Sequence, residues 1–361
     1  MAGAFARVYP GEMALEIRSV TDSEFDAWSD ALDVGFFHPA TRGQADYHRR
    51  RWATAALKTG GVIGAFDGAD IVGTFQNFAT PLTVPGGVSV PASGVTTVTV
   101  SPTHRRRGVL TGMMAHGLRQ SADLGHAASV LIPAEWPIYG RFGYGVGTEE
   151  IDVTVDASRA ALIRPLPGTV ELLTAEQWCV EMAGIYERVR VASPGAVERS
   201  MERWRRESGL DLPDGKPTDK ELYFALLRDE SGTPRAGAQY RVTEIEVRHF
   251  RPRSRIDGGL LAESAESRAR LLQFLWEHDW VTEVEIEKQP VDDTYRQLLK
   301  DARAVVQSSR SDVVWVRLLD VPAALSQRTY ESEGRLVIAV EDKDSYAAGV
   351  YALEGGPHGA T

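Results

Sequence analysis

Alternation of apolar and polar positions dominates the first third of the chain and predicts a meander of strands. Val62–Phe66 and Ile71–Phe75 flank Asp67-Gly68-Ala69-Asp70, a segment suited to a hairpin turn, and a further alternating run extends from Val88 to Val100. A strand is expected over Ala14–Arg18 and a helix around Glu24–Leu32 before the meander. After it the period lengthens to that of a helix. Leu110, Met113, Met114 and Leu118 form one stripe of a helix predicted from Arg105 to about Leu124, with Gly125 as its stop. Ala128–Ile132 then reads as a short strand ended by Pro133, residues 136–145 as a turn rich in Tyr, Gly and Arg, and Glu149–Val155 as a strand closing a first unit of residues 1–160.

A second unit, 165–302, follows a linker at Pro165–Gly168 and echoes the first, with helices at Glu176–Arg190 and Val197–Arg206, strands, and a helix at Ser264–His278. Its last helix starts differently. The segment Gly259–Ser267 has no Arg-x-x-Gly and carries Glu263 and Glu266, so no anion site is expected there. The remaining segment, 303–361, offers strand-like runs at Asp312–Arg317, Arg335–Val340 and Gly349–Leu353, a thin core on its own. The whole reads as an α/β (α+β) chain.

The 361 residues are 43% hydrophobic and 25% charged, a globular composition. The formal net charge of −10 gives nucleic acid no footing as main partner and suits a cationic substrate, though acidity alone also serves solubility. Cys179 is the only cysteine, which excludes an intrachain disulfide and a cysteine-based metal site; no metal is expected. Charged residues interrupt the N-terminal apolar positions and no long apolar run follows, so a cytoplasmic protein with no membrane partner is expected.

Candidate chemistry is concentrated in Val98–Gly112. An alternating strand stops at Pro102 and gives way to a helix through Arg105, Arg106, Arg107 and Gly108. A helix beginning beyond a strand end points unsatisfied N–H groups and the positive end of its dipole at whatever lies there, which suits a pyrophosphate. Gly108 would admit phosphate close to the backbone, and the three arginines raise the local positive potential. Val98 and Val100 point to one face, and the neighbouring backbone offers an edge to an extended ligand arm.

The Arg105-x-x-Gly108 signature resembles the pyrophosphate motif of the GNAT N-acetyltransferases, with Leu110 in place of the final small residue. Ser101-Pro-Thr-His-Arg-Arg-Arg-Gly108 and Ile138-Tyr-Gly-Arg-Phe-Gly-Tyr-Gly145 are similar to strings of the Eis-like branch, and Trp315-Val-Arg-Leu-Leu-Asp-Val-Pro-Ala-Ala-Leu325 resembles the start of its last domain. The resemblance implies tandem GNAT folds, each a mixed, mostly antiparallel sheet flanked by helices, then a partial sterol-carrier-protein-like domain. It implies acetyl-CoA as co-substrate, held by Val98, Thr99 and Val100, by Arg106, Arg107, Gly108, Val109, Leu110 and Thr111 beside Arg105, and by Ala134 and Glu135. It implies Tyr139 as general acid, acceptors such as aminoglycoside-type polyamines or lysine side chains, and a homohexamer. The family's base is its C-terminal carboxylate, which the resemblance places some tens of residues beyond Thr361. Thr361 itself is then a poor substitute, and two alternatives stand open: either the chain is truncated, or deprotonation falls to another group or to solvent.

Plainer readings stand beside these. Tyr139 could be a turn aromatic, although its matched string favours the acid; Tyr144 reads as structural. His104 reads as an exposed neighbour of a helix cap ahead of a base, and Cys179 as a buried apolar residue ahead of a nucleophile. Phe36, Phe37, Trp52 and Trp136 could line an acceptor pocket, with core packing expected for at least half. Asp26, Asp30, Asp33, Glu149 and Glu150 could attract polyamines but are equally solvated faces, as are Glu266, Arg268 and Arg270. The competing function is a noncatalytic CoA- or lipid-binding module.

Overall fold

Period-two runs fold as strands and 3.6-period stripes as helices in the computed structural model, which describes residues 15–38, 43–49, 53–213, 216, 221–248 and 251–361. The first stretch comprises β1 (Glu16–Ser19), α1 (Phe25–Phe36), α2 (Ala45–His48), α3 (Thr54–Lys58), β2 (Val62–Asp67), β3 (Asp70–Thr83), β4 (Ser89–Val100), α4 (Val109–Asp123), β5 (Ala128–Leu131), α5 (Trp136–Tyr139), β6 (Gly145–Val146) and β7 (Glu149–Asp156). The second comprises β8 (Thr169–Leu172), α6 (Ala175–Arg190), α7 (Met201–Glu207), β9 (Tyr223–Arg228), β10 (Pro234–Arg248), β11 (Arg251–Ala262), α8 (Ala265–Trp276) and β12 (Val281–Gln289). Then come β13 (Val305–Asp312), β14 (Trp315–Leu318), α9 (Val321–Ser326), β15 (Gly334–Val340), β16 (Gly349–Gly356) and β17 (Gly359–Ala360).

Two strands join a different sheet from the one their sequence neighbourhood suggests. The first sheet runs β1-β2-β3-β4-β5-β14-β6 and the second β13-β7-β12-β11-β10-β9-β8. Thus Glu149–Asp156 does not close the first unit but lies between β12 and β13, and Trp315–Leu318, expected to open the last domain, lies between β5 and β6. Alternation reports which face of a strand is buried and is silent on which partner it finds. The third sheet, β15-β16-β17, is a short antiparallel meander.

Helices α1 and α4 cover opposite faces of the first sheet. Helix α1 buries Phe25, Trp28, Ser29, Leu32 and Asp33, positions three and four apart, and the Trp28 indole N–H donates to the Ile63 carbonyl at 2.9 Å. Helix α4 buries Val109, Met113, Met114, Gly117 and Leu118. Close packing on both sides depends on missing side chains: a Cβ at Gly35 of α1 would stand 2.4 Å from the Thr99 Cβ, and one at Gly73 of β3 would stand 2.8 Å from Val109. Among the described residues no helix is long and apolar enough to cross a membrane.

Candidate active site

Strands β4 and β5 run parallel but pair only where Ala92–Gly94 meets Ala128–Val130. Beyond that the two separate, and β5 pairs along its other edge with β14, Trp315 standing opposite Leu131. Val95–Val100 are therefore left without a β5 partner, a wedge-shaped opening with bare backbone along one wall. A bulge helps to turn this stretch: the β3–β4 register shifts between Thr74 and Gln76, and Thr97 lies in the left-handed region at φ 54°. The buried Thr74 hydroxyl holds the bulge through the Thr97 carbonyl at 2.8 Å and the Thr99 hydroxyl at 2.6 Å. Val98 and Val100 pack toward α4, whereas Thr99 turns to α1. A cavity of about 210 Å³ on the α1 side is lined by Asp30, Val34, Gly73, Thr99 and Ser101 among others.

The loop after β4 differs from the expected helix start. Pro102–His104 form a 3-10 turn, Arg105 is extended, and α4 begins only at Val109, so the three arginines precede the helix. The reason is local: Arg106 at φ 64° and Gly108 at φ 82° are left-handed and cannot extend a helix backwards. Gly108 is the helix cap and has no side chain to satisfy the first N–H groups; the first intrahelical bond runs from the Gly112 N–H to the Gly108 carbonyl at 2.9 Å. The N–H groups of Val109, Leu110 and Thr111 thus lie ahead of the helical ladder, and a Cβ at Gly108 would enter open space. Left-handed residues alternating with others at a helix start make an anion-binding concavity. Arg105, Arg106 and Arg107 are exposed around it.

His104 is less exposed than its sequence position suggests. Its Nε2 lies 3.0 Å from Asp67 Oδ2 and its Nδ1 2.8 Å from the Thr103 hydroxyl, while Arg107 reaches the same Asp67 oxygen at 3.6 Å. Asp67, assigned only to a hairpin turn from sequence, therefore ties the loop to the β2–β3 turn. Nothing in the local pattern signals this pairing.

Across the opening, Ala134 and Glu135 are exposed and lead into α5, where the sequence suggested only a turn. Tyr139, at the end of α5, is 8% exposed and belongs to the apolar cluster that also holds Val95, Met113 and Met114, with Val98, Val100 and Leu110 packed against it. Its ring meets Tyr144 edge-on at 6.2 Å, and among the described residues its hydroxyl has no hydrogen-bond partner. Burial, and then the nearby Glu135 charge, push the Tyr139 phenol above its ordinary value, so it keeps its proton at neutral pH. Tyr144 is buried and shares a 2.6 Å hydrogen bond with the Ser129 hydroxyl of β5, as a structural residue would. The structure thus gathers the predicted residues around one opening: β4 on one wall, the arginine loop at its end, Ala134, Glu135 and Tyr139 on the other side.

Several secondary expectations change. Phe36, Phe37 and Trp136 are exposed, so core packing does not account for them; Trp52 lies outside the described residues. Asp33 is no solvated charge: buried on α1, it meets the buried His48 Nε2 at 2.9 Å. Glu149 pairs with Arg310, and Glu150, half-buried, is raised by burial. Arg268 is buried against Asp293 and Gln289 because its position on α8 faces the end of β12. Cys179 is buried with its Sγ 3.2 Å from the Ser208 hydroxyl.

The second unit has neither half of the site. Its parallel pair β11–β12 stays joined from Ser254–Gly259 to Val281–Glu287, and Ser264 caps α8 by accepting the Ser267 N–H at 3.1 Å. Glu263 pairs with Arg188 and Arg235, and Glu266 with Arg164. Among the described residues no three His, Cys, Asp or Glu side chains gather closely enough to hold a metal ion.

Comparison with known proteins bears on this geometry. Residues 16–147 and residues 195–318 each match a model of the acetyltransferase (GNAT) domain. An uncharacterised N-acetyltransferase of Streptomyces avermitilis is 34% identical over 354 residues, covering 96% of this chain and 83% of that one. The N-acetyltransferase Eis of Mycobacterium tuberculosis is 34% identical over 313 residues, covering 84% of this chain and 74% of its own. The crystal structure of Eis1 from Mycobacterium abscessus superimposes with a TM-score of 0.79 at 29% identity, over 96% of this chain and 84% of that one. A GNAT structure from Anabaena variabilis shares the fold with the same TM-score at 16% identity, covering 96% and 84%.

Proposed function

The chain belongs to the Eis-like GNAT N-acetyltransferases, and from that premise we propose that it transfers acetyl from acetyl-CoA directly to a primary amine, with Tyr139 as general acid. The observation that carries the reading is the coincidence of an opened parallel pair with an uncapped helix start at its end. An extended pantetheine arm would pair with the bare backbone of Val98–Val100, and its pyrophosphate would take the N–H groups of Val109, Leu110 and Thr111 with Arg105, Arg106 and Arg107 around them. Gly108 fits this role, since it is left-handed at φ 82° and a Cβ there would meet no protein atom within 4 Å, leaving that side of the loop open to a ligand.

The amine lone pair adds to the thioester carbonyl, giving a tetrahedral oxyanion; collapse breaks the carbon–sulfur bond and leaves an amide. Tyr139 gives its proton to the departing thiolate, the nitrogen's surplus proton passes to water, and the phenol is recharged from solvent. A phenol raised by burial is suited to the acid role because it does not lose its proton before the sulfur needs it. Polyamines of aminoglycoside type and lysine side chains are the acceptors we infer. The net charge of −10 is in keeping with cationic acceptors.

The test follows thiol release from acetyl-CoA with a panel of amines that includes an aminoglycoside and a lysine peptide. Tyr139→Phe should lower kcat by about a hundredfold or more while leaving acetyl-CoA affinity within about twofold. A folded Phe variant that retains wild-type turnover would remove Tyr139 from the mechanism. CoA binding without thiol release on any amine would favour the noncatalytic module.

A further inference from the structure

Strands β5 and β6 are consecutive in the first sheet by sequence but do not pair; β14 stands between them. Its residues Trp315–Leu318 face Leu131–Ala128 on one side, and Trp315 and Val316 face Val146 and Gly145 on the other. The connection from Ile132 to Tyr144, which carries Tyr139, must therefore arch across β14. Trp315 and Arg317 sit two apart and so share one face of that strand. Each meets one end of the arch. The Trp315 ring takes Trp136 edge-on at 4.9 Å, and Arg317 Nε lies 2.8 Å from where a Cβ on Gly143 would stand. Gly143, at φ 82°, closes the arch against the guanidinium with no room for a side chain.

Arg317 is itself fixed. It is buried, and its guanidinium donates to Asp342 Oδ1 at 2.6 Å and to the Leu318 carbonyl at 3.1 Å. Asp342 accepts the Ala347 N–H at 2.8 Å and the Asp344 N–H at 3.1 Å, and the Lys343 ammonium donates to the Arg141 carbonyl within the arch. The 342–347 segment thus covers Arg317 from outside and touches the arch a second time.

We propose that Arg317, clamped by Asp342, is a positioning residue that holds the Tyr139 arch in its working geometry. The inference rests on the reading of Tyr139 as the acid. A desolvated ion pair contributes little net stability over apolar packing of the same volume, so a geometric duty accounts for it better than a stabilising one. Removing one partner leaves the other charge buried and frees the arch at its glycine end.

The test compares Arg317→Met, Arg317→Lys and Asp342→Asn with the wild type in the full chain. Expected is a loss in kcat of about tenfold to a hundredfold for Arg317→Met, as for a catalytic group displaced by about an ångström, with acetyl-CoA Kd unchanged within about twofold because β4 and the arginine loop are untouched. Arg317→Lys, which keeps the charge but not the planar fork, should recover part of kcat. A second readout needs no turnover: with ¹³C-labelled tyrosine, the NMR signal identified as Tyr139 by its loss in Tyr139→Phe should move and broaden in Arg317→Met, while Tyr240 in the second sheet stays. If Arg317→Met fails to fold, Asp342→Asn carries the same two readouts. Unchanged kcat with an unmoved Tyr139 signal in a folded variant overturns the proposal, as does a Kd that rises in step with the loss of kcat. Should the wild type release no thiol with any amine, the acetyltransfer reading fails while the Tyr139 signal still decides the positioning.

Discussion

Gly108→Ala separates the backbone cost of the cradle from its binding function. The residue is left-handed at φ 82°, and an added Cβ would meet no protein atom within 4 Å, so the free protein feels only backbone strain. That strain is about 1–2 kcal/mol for a residue with a Cβ. Alanine offsets roughly 0.4–1 kcal/mol of it by restricting the unfolded chain. The net loss is about 1 kcal/mol, which in a chain of 361 residues lowers Tm by about 2 °C or less. Binding should suffer more. If the loop holds the pyrophosphate as proposed, the methyl enters the open space beside the first N–H groups of α4 and displaces one charge-assisted hydrogen bond, worth about 1.5–3 kcal/mol. Calorimetric Kd for CoA should therefore rise roughly tenfold to a hundredfold. Gly125→Ala is the matched control. It follows the same helix at its other end, is left-handed at φ 77°, and also has nothing within 4 Å of an added Cβ. It should lower Tm by a similar amount and leave Kd alone. Equal Kd in the two variants would refute the assignment of the loop to the pyrophosphate, whatever their stabilities.

Gly35→Ala drives a methyl into Thr99, to 2.4 Å from its Cβ, and Thr99 cannot retreat while its hydroxyl is held by Thr74 at 2.6 Å. A loss of about 1–3 kcal/mol is expected, measurable as a lower urea midpoint, with weaker acetyl-CoA binding through the displaced β4 wall; unchanged stability would mean that α1 yields freely. Burial opposes ionisation of Asp342, but Arg317 and the N–H groups of Ala347 and Asp344 outweigh it and hold the carboxyl below its ordinary value. Its stabilisation is then present above about pH 4 and lost as pH falls through the depressed value. The gap in urea midpoint between wild type and Asp342→Asn should narrow below about pH 4, and a gap constant from pH 6 to pH 3 would contradict the pairing.

What could be read from the sequence was what is local. The strand, the arginine loop, Gly108 and Tyr139 lie in two short strings whose residue types suffice to mark them, and the structure gathers them around one opening. The helix starts four residues later than its apolar period predicts, because periodicity does not register a left-handed Arg106 ahead of Gly108. Local pattern marks Asp67 as a turn residue and Asp33 and Arg268 as solvated helix positions, yet each finds a partner: Asp67 lies 37 residues from His104, Asp33 15 from His48, and Arg268 21 from Gln289. A charge run carries no trace of whether its partner exists.

The exchange of β7 and β14 between the two sheets bears most on function. Both parallel pairs carry a further strand on the far edge, but only β4–β5 opens, joined at Ala92–Gly94 alone while β5 also pairs with a strand from residues 315–318. In the second unit the corresponding pair stays closed, with β7 on the far edge of β12. The strand β5 beside the opening and the arch that carries Tyr139 thus both adjoin the same late strand, whose Arg317 is locked by a segment later still. Residues 1–160 by themselves would contain both signature strings and lack the strand that the Tyr139 arch crosses.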